Sequence, residues 1–457
     1  MVASPISPST HQSPNQSLYP ITAGINDKGH LSVGGCDVVD LAQTFGTPLY
    51  IVDEATIRQT CRSYRDSFLQ HYSDDPDRVL VLFASKAWNC KAICALVAQE
   101  GLGIDVVSGG ELYTALQAGV SAECIYLHGN YKSAAELEMA VEVGCTVVVD
   151  NPHELAMLAD ITARQGRTAR IMLRVTPGIE CHTHEYIKTG HLDSKFGFDP
   201  NQLEGVFAQL SQQLSTLDFV GLHAHIGSQI FELQPHTDLG SVLCGFWQLA
   251  QQHGLTPTEL NVGGGLGIRY VESDDPPSIS EWVQSVCAGV RAGFSAAGLE
   301  LPRLLCEPGR SLVGPSTVTA YTVGGSKEIP ELRTYLSVDG GMSDNPRPIT
   351  YQAPYTSVLA NRPEAAATQT VTVAGKHCES GDVLLKDVQL PAIAPGEILV
   401  MLATGAYNYS MASNYNRIPR PAAVLVNGGH ADIVIERETY DDLIRQDALP
   451  DRLLPDR

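Results

Sequence analysis

The chain has 457 residues, 44% hydrophobic and 18% charged, which suits two or three domains with a large buried core. Its 30 Lys+Arg against 51 Asp+Glu give a net charge of −21, disfavouring nucleic acid or an anionic membrane as partner. No apolar run approaches bilayer length, and the 11 cysteines show neither CxxC nor paired Cys/His spacing, predicting reduced cytoplasmic thiols and no metal site.

The opening "MVASPISPSTHQSPNQS" is rich in Ser and Pro and lacks an apolar core or arginine, predicting a disordered tail over residues 1–18. Residues 19–46 are expected to pack with a β domain formed much later in the chain. From residue 79 to about 306, eight apolar strand-like runs alternate with amphipathic helix-length stretches. The runs are "VLVLFAS" (79–85), "LGIDVVS" (102–108), "CIYLHG" (124–129), "TVVVDN" (146–151), "RIMLRV" (170–175), "FVGLHAHIG" (219–227), "ELNVGGG" (259–265) and "RLLCEPG" (303–309). Eight such units over this length predict an α/β fold, a (β/α)8 barrel spanning 47–312, with an open doubly wound sheet as the alternative. Beyond 312, short β-branched segments such as "TVTAYTVGG" and "TVTVAGKHC" separated by Gly/Pro turns predict a C-terminal antiparallel β domain over 313–457.

Catalytic groups of such a barrel gather at the C-terminal ends of its strands. There the sequence places Lys86, Asp105, His128, Asp150, Arg174, His223, His225, glycines 263–265, Glu307 and Arg310. A lone strand-end lysine commonly snorkels to solvent. Within this ring, burial would instead lower the Lys86 amine pKa and leave a neutral nucleophile suited to a Schiff base. "NVGGGLG" (261–267) reads as a strand-to-helix turn whose amides could cradle phosphate, and "HIGSQ" (225–229) offers a flat imidazole and a hydroxyl. In "CEPGRS" (306–311), Glu307 could hold a proton on a pyridine nitrogen while Arg310 forks a carboxylate. Singly, each has an ordinary structural explanation; together they point to pyridoxal 5'-phosphate.

The motifs "FASKAW", "GIDVVSGGEL", "HGNYKS", "SKFGF", "HAHIGSQ", "GGGLG", "EPGRS", "MSDNPRPITY", "CESGD" and "GAYNYSMASNYN" run in the same order as those of the diaminopimelate decarboxylases. These are pyridoxal-phosphate decarboxylases of alanine-racemase-like fold (fold type III), and the resemblance extends from about Leu18 into the C-terminal region. It implies decarboxylation of meso-2,6-diaminopimelate to L-lysine and CO2, the last step of lysine biosynthesis. It further implies that Lys86 carries the cofactor as a Schiff base, that His225 stacks on its ring and that Glu307 meets the pyridine nitrogen. Ser228, the backbone of Gly264 and Gly265, the loop of Pro308, Gly309 and Arg310, and Tyr407 would hold the phosphate. Arg310, Arg347, Tyr351 and Tyr407 would bind substrate, with Glu379 at its distal amine and Cys378 near the carbon that loses CO2. By the same resemblance the enzyme is a cytoplasmic homodimer with "CESGD" lent by the partner. Two positions depart from the family pattern: Tyr131 in "HGNYKS" and Gln352, where a glycine usually follows the tyrosine.

Three rivals share the fold. A decarboxylase of ornithine, arginine or carboxynorspermidine would have little use for Arg310, Arg347 and Glu379 together. A regulator without activity could dispense with Lys86 and the glycine turn, and a racemase would need a second base opposite the lysine.

Overall fold

The apolar runs form eight strands, β1 (Val79–Ala84), β2 (Gly103–Val106), β3 (Ile125–Leu127), β4 (Thr146–Val149), β5 (Ala169–Arg174), β6 (Leu217–His223), β7 (Glu259–Asn261) and β8 (Arg303–Cys306). In this computed structural model, which describes residues 4–5, 13–179, 194–213 and 215–453, all eight pair in parallel. The strand β8 closes the barrel against β1, with Leu305 opposite Leu80.

Strand side chains alternate between faces, and the sequence obeys that period. Leu82, Tyr126, Val148, Met172, Val220 and Leu305 form one cluster within the barrel. Their neighbours Val81, Phe83, Ile125, Leu127, Val147, Val149, Ile171, Leu173, Leu304 and Cys306 join the larger core beneath the surrounding helices. Two residues before the interior layer, Arg170 and Arg303 meet buried Glu259 at 3.1 and 3.0 Å, and the Tyr126 hydroxyl donates to the same carboxylate. This polar plug closes the end of the barrel opposite the catalytic mouth.

Helix ends follow local chemistry. Helix Ile279–Ala296 begins with a reciprocal cap between Ser278 and Glu281, and helix Pro152–Gln165 has an Asn151 cap with proline in its first turn. No described helix is long and apolar enough to cross a membrane.

A second, nine-stranded sheet is built mainly from the C-terminal part of the chain. Its central strand, Thr317–Ile329, pairs antiparallel with Arg333–Val338, Ile398–Met401 and Leu49–Asp53. Three details differ from the sequence expectation. Leu49–Asp53, every residue of it buried, belongs to this sheet and not to the barrel, so the barrel portion starts with helix Glu54–His71. Two pairings are parallel, Leu49–Asp53 with Ala422–Asn427 and Arg333–Val338 with Gln369–Ala374, because each joins segments connected by long crossovers, which strand composition cannot reveal. The expected tail also gives way to structure at residues 13–18. There Pro14–Gln16 forms a turn, Asn15 is buried, and the Asn15 and Gln16 amides donate to Pro277 and Pro276 carbonyls. The rest of that tail lies outside the described residues apart from Ser4–Pro5, which pairs with Gly24–Ile25. Leu31, Val33 and Val38 pack against Val318, Val400 and Val424 of the second sheet.

Candidate active site

The alternation that fills the barrel, continued past its apolar layer, delivers polar groups to one mouth. His128, Asp150, Arg174 and Glu307 each lie two residues beyond an interior apolar side chain, and Lys86 lies four beyond Leu82. All but Asp150 line a cavity of about 860 Å³, together with Asp105, His223, His225, Ser228, Gly265, Gly309, Arg310, Arg347, Tyr351 and Tyr407.

Lys86 sits in the single turn Ser85–Ala87 that ends β1. Its side chain is open to the cavity yet walled by protein, whereas Ser85 and Ala87 on either side are buried. The turn is braced by the Ser85 hydroxyl, which donates to Glu111 at 3.2 Å and accepts from Asn89 at 3.0 Å. The expected depression of its pKa is corrected here. Burial pushes the ammonium down, but Tyr407, Asp105 and Glu307 together outweigh burial and the opposing Arg174, and the net shift is upward. The surrounding protein by itself therefore keeps Lys86 protonated.

Glu307 is the centre of the buried polar network. It accepts from His223 Nε2 at 3.0 Å and from Asn261 Nδ2 at 2.7 Å, and His128 Nε2 lies 2.9 Å away off the hydrogen-bond line. Burial would raise its pKa, but His128 and His223 hold it well below the usual carboxylate range. Burial lowers His223 to about 4 despite Glu307, so a neutral ring donates to an ionised carboxylate. Ligand atoms of His128, His223 and Glu307 lie within 4.8 Å of one another, close enough for a metal ion, yet the groups already contact each other directly.

The glycine turn depends on close approach. A Cβ on Gly264 would lie 2.2 Å from the Glu307 carbonyl oxygen, and Gly265, at φ +123°, would place one 2.9 Å from the Gly227 carbonyl. Gly264 donates its N–H to His225 Nδ1 at 3.2 Å and does not line the cavity, whereas Gly265 does. Burial, with Lys86 and Arg174, keeps His225 far below its usual pKa and neutral. Pro308 is also off the wall, its carbonyl accepting from Ala84 N–H at 3.1 Å.

Beyond this wall stands a cage of cations and aromatic rings. Arg310 donates to Ser228 at 3.1 Å and Tyr270 at 2.7 Å, and its guanidinium lies 4.9 Å from the Tyr407 ring centroid. Arg347, at the head of the short helix Arg347–Tyr351, donates to Tyr355 and faces the Tyr270 ring at 4.6 Å. Tyr407 is held at φ 62°, an uncommon conformation for an aromatic residue, and its N–H donates to Ala87 carbonyl. Gln352 at φ 52° explains the glycine usual at that position: the backbone is left-handed there.

Cys378 and Glu379 stand apart. Both are exposed in a turn off the cavity wall, pinned by buried Asp382, whose carboxylate meets His377 Nδ1 and Met342 N–H, each at 2.7 Å. Cys378 N–H donates to Asn416. Among residues that sequence reasoning left without a role, Glu111, Asn261, Tyr270 and Tyr355 complete the network. No motif marks Tyr270 or Tyr355, and only the strand-end position of Asn261 in "NVGGG" hinted at it.

Pyridoxal phosphate fits these residues. Buried polar atoms without hydrogen-bond partners among the described residues, Asp105 Oδ1, His223 Nδ1 and Arg310 Nε, sit on cavity-lining residues. The same wall offers an amine, an ionised carboxylate, a flat neutral imidazole and a hydroxyl–guanidinium pair beside Gly265.

Residues 54–314 match the pyridoxal binding domain of the pyridoxal-dependent decarboxylases. The chain is 60% identical to a diaminopimelate decarboxylase of Synechocystis sp., over 99% of this chain and 97% of that one. It is 47% identical to a diaminopimelate decarboxylase of Bacillus subtilis, over 93% and 97% respectively. A crystal structure of diaminopimelate decarboxylase from M. jannaschii in complex with L-lysine superposes with a TM-score of 0.89 at 32% identity, covering 97% of this chain and all of that one.

Proposed function

This chain belongs to the pyridoxal-dependent decarboxylases, and from that premise we propose that it converts meso-2,6-diaminopimelate to L-lysine and CO2, the last step of lysine biosynthesis. The observation that carries the reading is one cavity joining Lys86 and an ionised Glu307 to two guanidiniums set among tyrosine rings.

Bound pyridoxal phosphate supplies an electron sink for the pair left behind when CO2 departs. Lys86 would hold it through its ε-amine. Glu307, kept ionised by its histidine neighbours, would hold a proton on the ring nitrogen. His225 would lie against the ring, oriented by the Gly264 N–H. Ser228, Gly265, Gly309, Arg310 and Tyr407 would bind phosphate, with Gly264 serving through His225 and Pro308 by bracing the loop against Ala84.

Arg310, Arg347 and Tyr351 would grip the distal carboxylate. Both arginines are buried, so a substrate lacking that carboxylate leaves their charges uncompensated, which disfavours ornithine and arginine. Glu379, for the distal amine, and Cys378, as proton donor, are off the wall of their own cavity, which supports a homodimer in which each copy lends this turn to the other. The free thiols among the described residues support a cytoplasmic setting. The test is CO2 release from meso-diaminopimelate measured beside ornithine and arginine. Diaminopimelate is expected to be strongly preferred, and preference for either basic amino acid would overturn the assignment.

A further inference from the structure

Tyr270 touches both candidate carboxylate-binding arginines, which come from different parts of the chain. Its hydroxyl accepts from Arg310, just beyond β8, at 2.7 Å, while its ring faces the Arg347 guanidinium from the second domain at 4.6 Å. The residue is buried and anchored on two sides. Its N–H donates to Asp274 Oδ2 at 2.8 Å, and its carbonyl accepts from the Thr356 hydroxyl at 2.9 Å. Tyr355 packs edge-on against it, ring centroids 5.1 Å apart, and takes a hydrogen bond from Arg347.

Two like charges converging on one cavity repel, and long guanidinium side chains lose orientation unless something fixes them. Tyr270 does both tasks with a single rigid ring: the negative π face offsets the Arg347 charge and the hydroxyl fixes the Arg310 fork. We infer that Tyr270 is a positioning residue that sets the spacing of Arg310 and Arg347, and so selects substrates bearing a carboxylate at the end remote from the reacting carbon. This rests on the proposed role of the two arginines.

The test compares holoenzyme with Tyr270→Phe, which keeps the ring, and Tyr270→Leu, which removes it. Calorimetry with pimelate and product inhibition by L-lysine, which keeps the distal carboxylate, read the grip, and inhibition by cadaverine, which carries no carboxylate, reads binding without it. Tyr270→Phe should weaken pimelate by about tenfold and Tyr270→Leu by about a hundredfold. KM for diaminopimelate and the inhibition constant of L-lysine should rise in step and by more than kcat falls, with inhibition by cadaverine unchanged. Equal weakening of pimelate and cadaverine, or wild-type affinity for pimelate in both variants, would overturn the inference while leaving the decarboxylase assignment standing. Failure of the wild-type enzyme to turn over diaminopimelate would instead remove that assignment and this inference with it.

Discussion

The His223 ring donates to the Glu307 carboxylate across 3.0 Å, with both side chains buried at the barrel mouth. The pair is stable as a neutral imidazole and a carboxylate, which keeps negative charge where a pyridine nitrogen would sit. Glu307→Gln retains the shape and loses that charge. Decarboxylation is expected to fall by about a hundredfold or more, the scale of losing one buried charge interaction. Steady-state rates at saturating cofactor, with bound cofactor followed by absorbance, check this.

His236 gives the chain a pH-dependent liability. Buried edge-on against Trp282 with neither ring nitrogen hydrogen-bonded among the described residues, it is lowered by burial to about 3. The unfolded chain takes up the proton below about pH 6.5, whereas the folded chain refuses it, so stability rises with pH across this window. The contribution is complete above pH 6.5 and is lost as pH falls toward 3; His223 acts in the same sense down to about 4. Urea midpoints at pH 7, 5 and 4 should fall less steeply for His236→Phe than for wild type.

Gly264→Ala should disable the site without touching a titratable group. Its new methyl would meet the Glu307 carbonyl at 2.2 Å, forcing apart the turn that orients His225 and the segment carrying Glu307. Cofactor affinity is expected to drop at least about tenfold, measured by absorbance titration of the cofactor-free protein.

The proposed sharing of sites between two copies predicts complementation. Lys86→Ala and Glu379→Ala homodimers should both be nearly inactive, while mixing and reassorting their subunits should restore up to about a quarter of wild-type turnover, since half the dimers then hold one intact site. Adding Asp382→Ala to the Lys86→Ala chain should erase the recovery, because Asp382 pins the turn that presents Glu379. Activity assays on reassorted mixtures decide it; no recovery in the first mixture would place each site within a single chain.

Much of this was legible in the sequence because strand periodicity is local. A residue two beyond an interior apolar position must point the same way, so "CEPGR" and "YLHG" carried Glu307 and His128 to the mouth before any contact was known. Ordered motifs supplied the family. The net charge environment of Lys86 was not legible, since burial and three neighbours act in opposite directions and only their summed geometry fixes the sign. Nor was the membership of Leu49–Asp53, whose buried apolar run would suit either sheet.

The amino-acid order alone determined which side chains face the barrel axis and which backbone turns must be glycine, because alternation and steric exclusion operate over a few residues. Tertiary structure alone decided that Tyr270 lies between Arg310 and Arg347, and that Cys378 and Glu379 turn away from their own cavity. Those relationships join segments distant in the chain, and their distances arise only when two domains pack against each other.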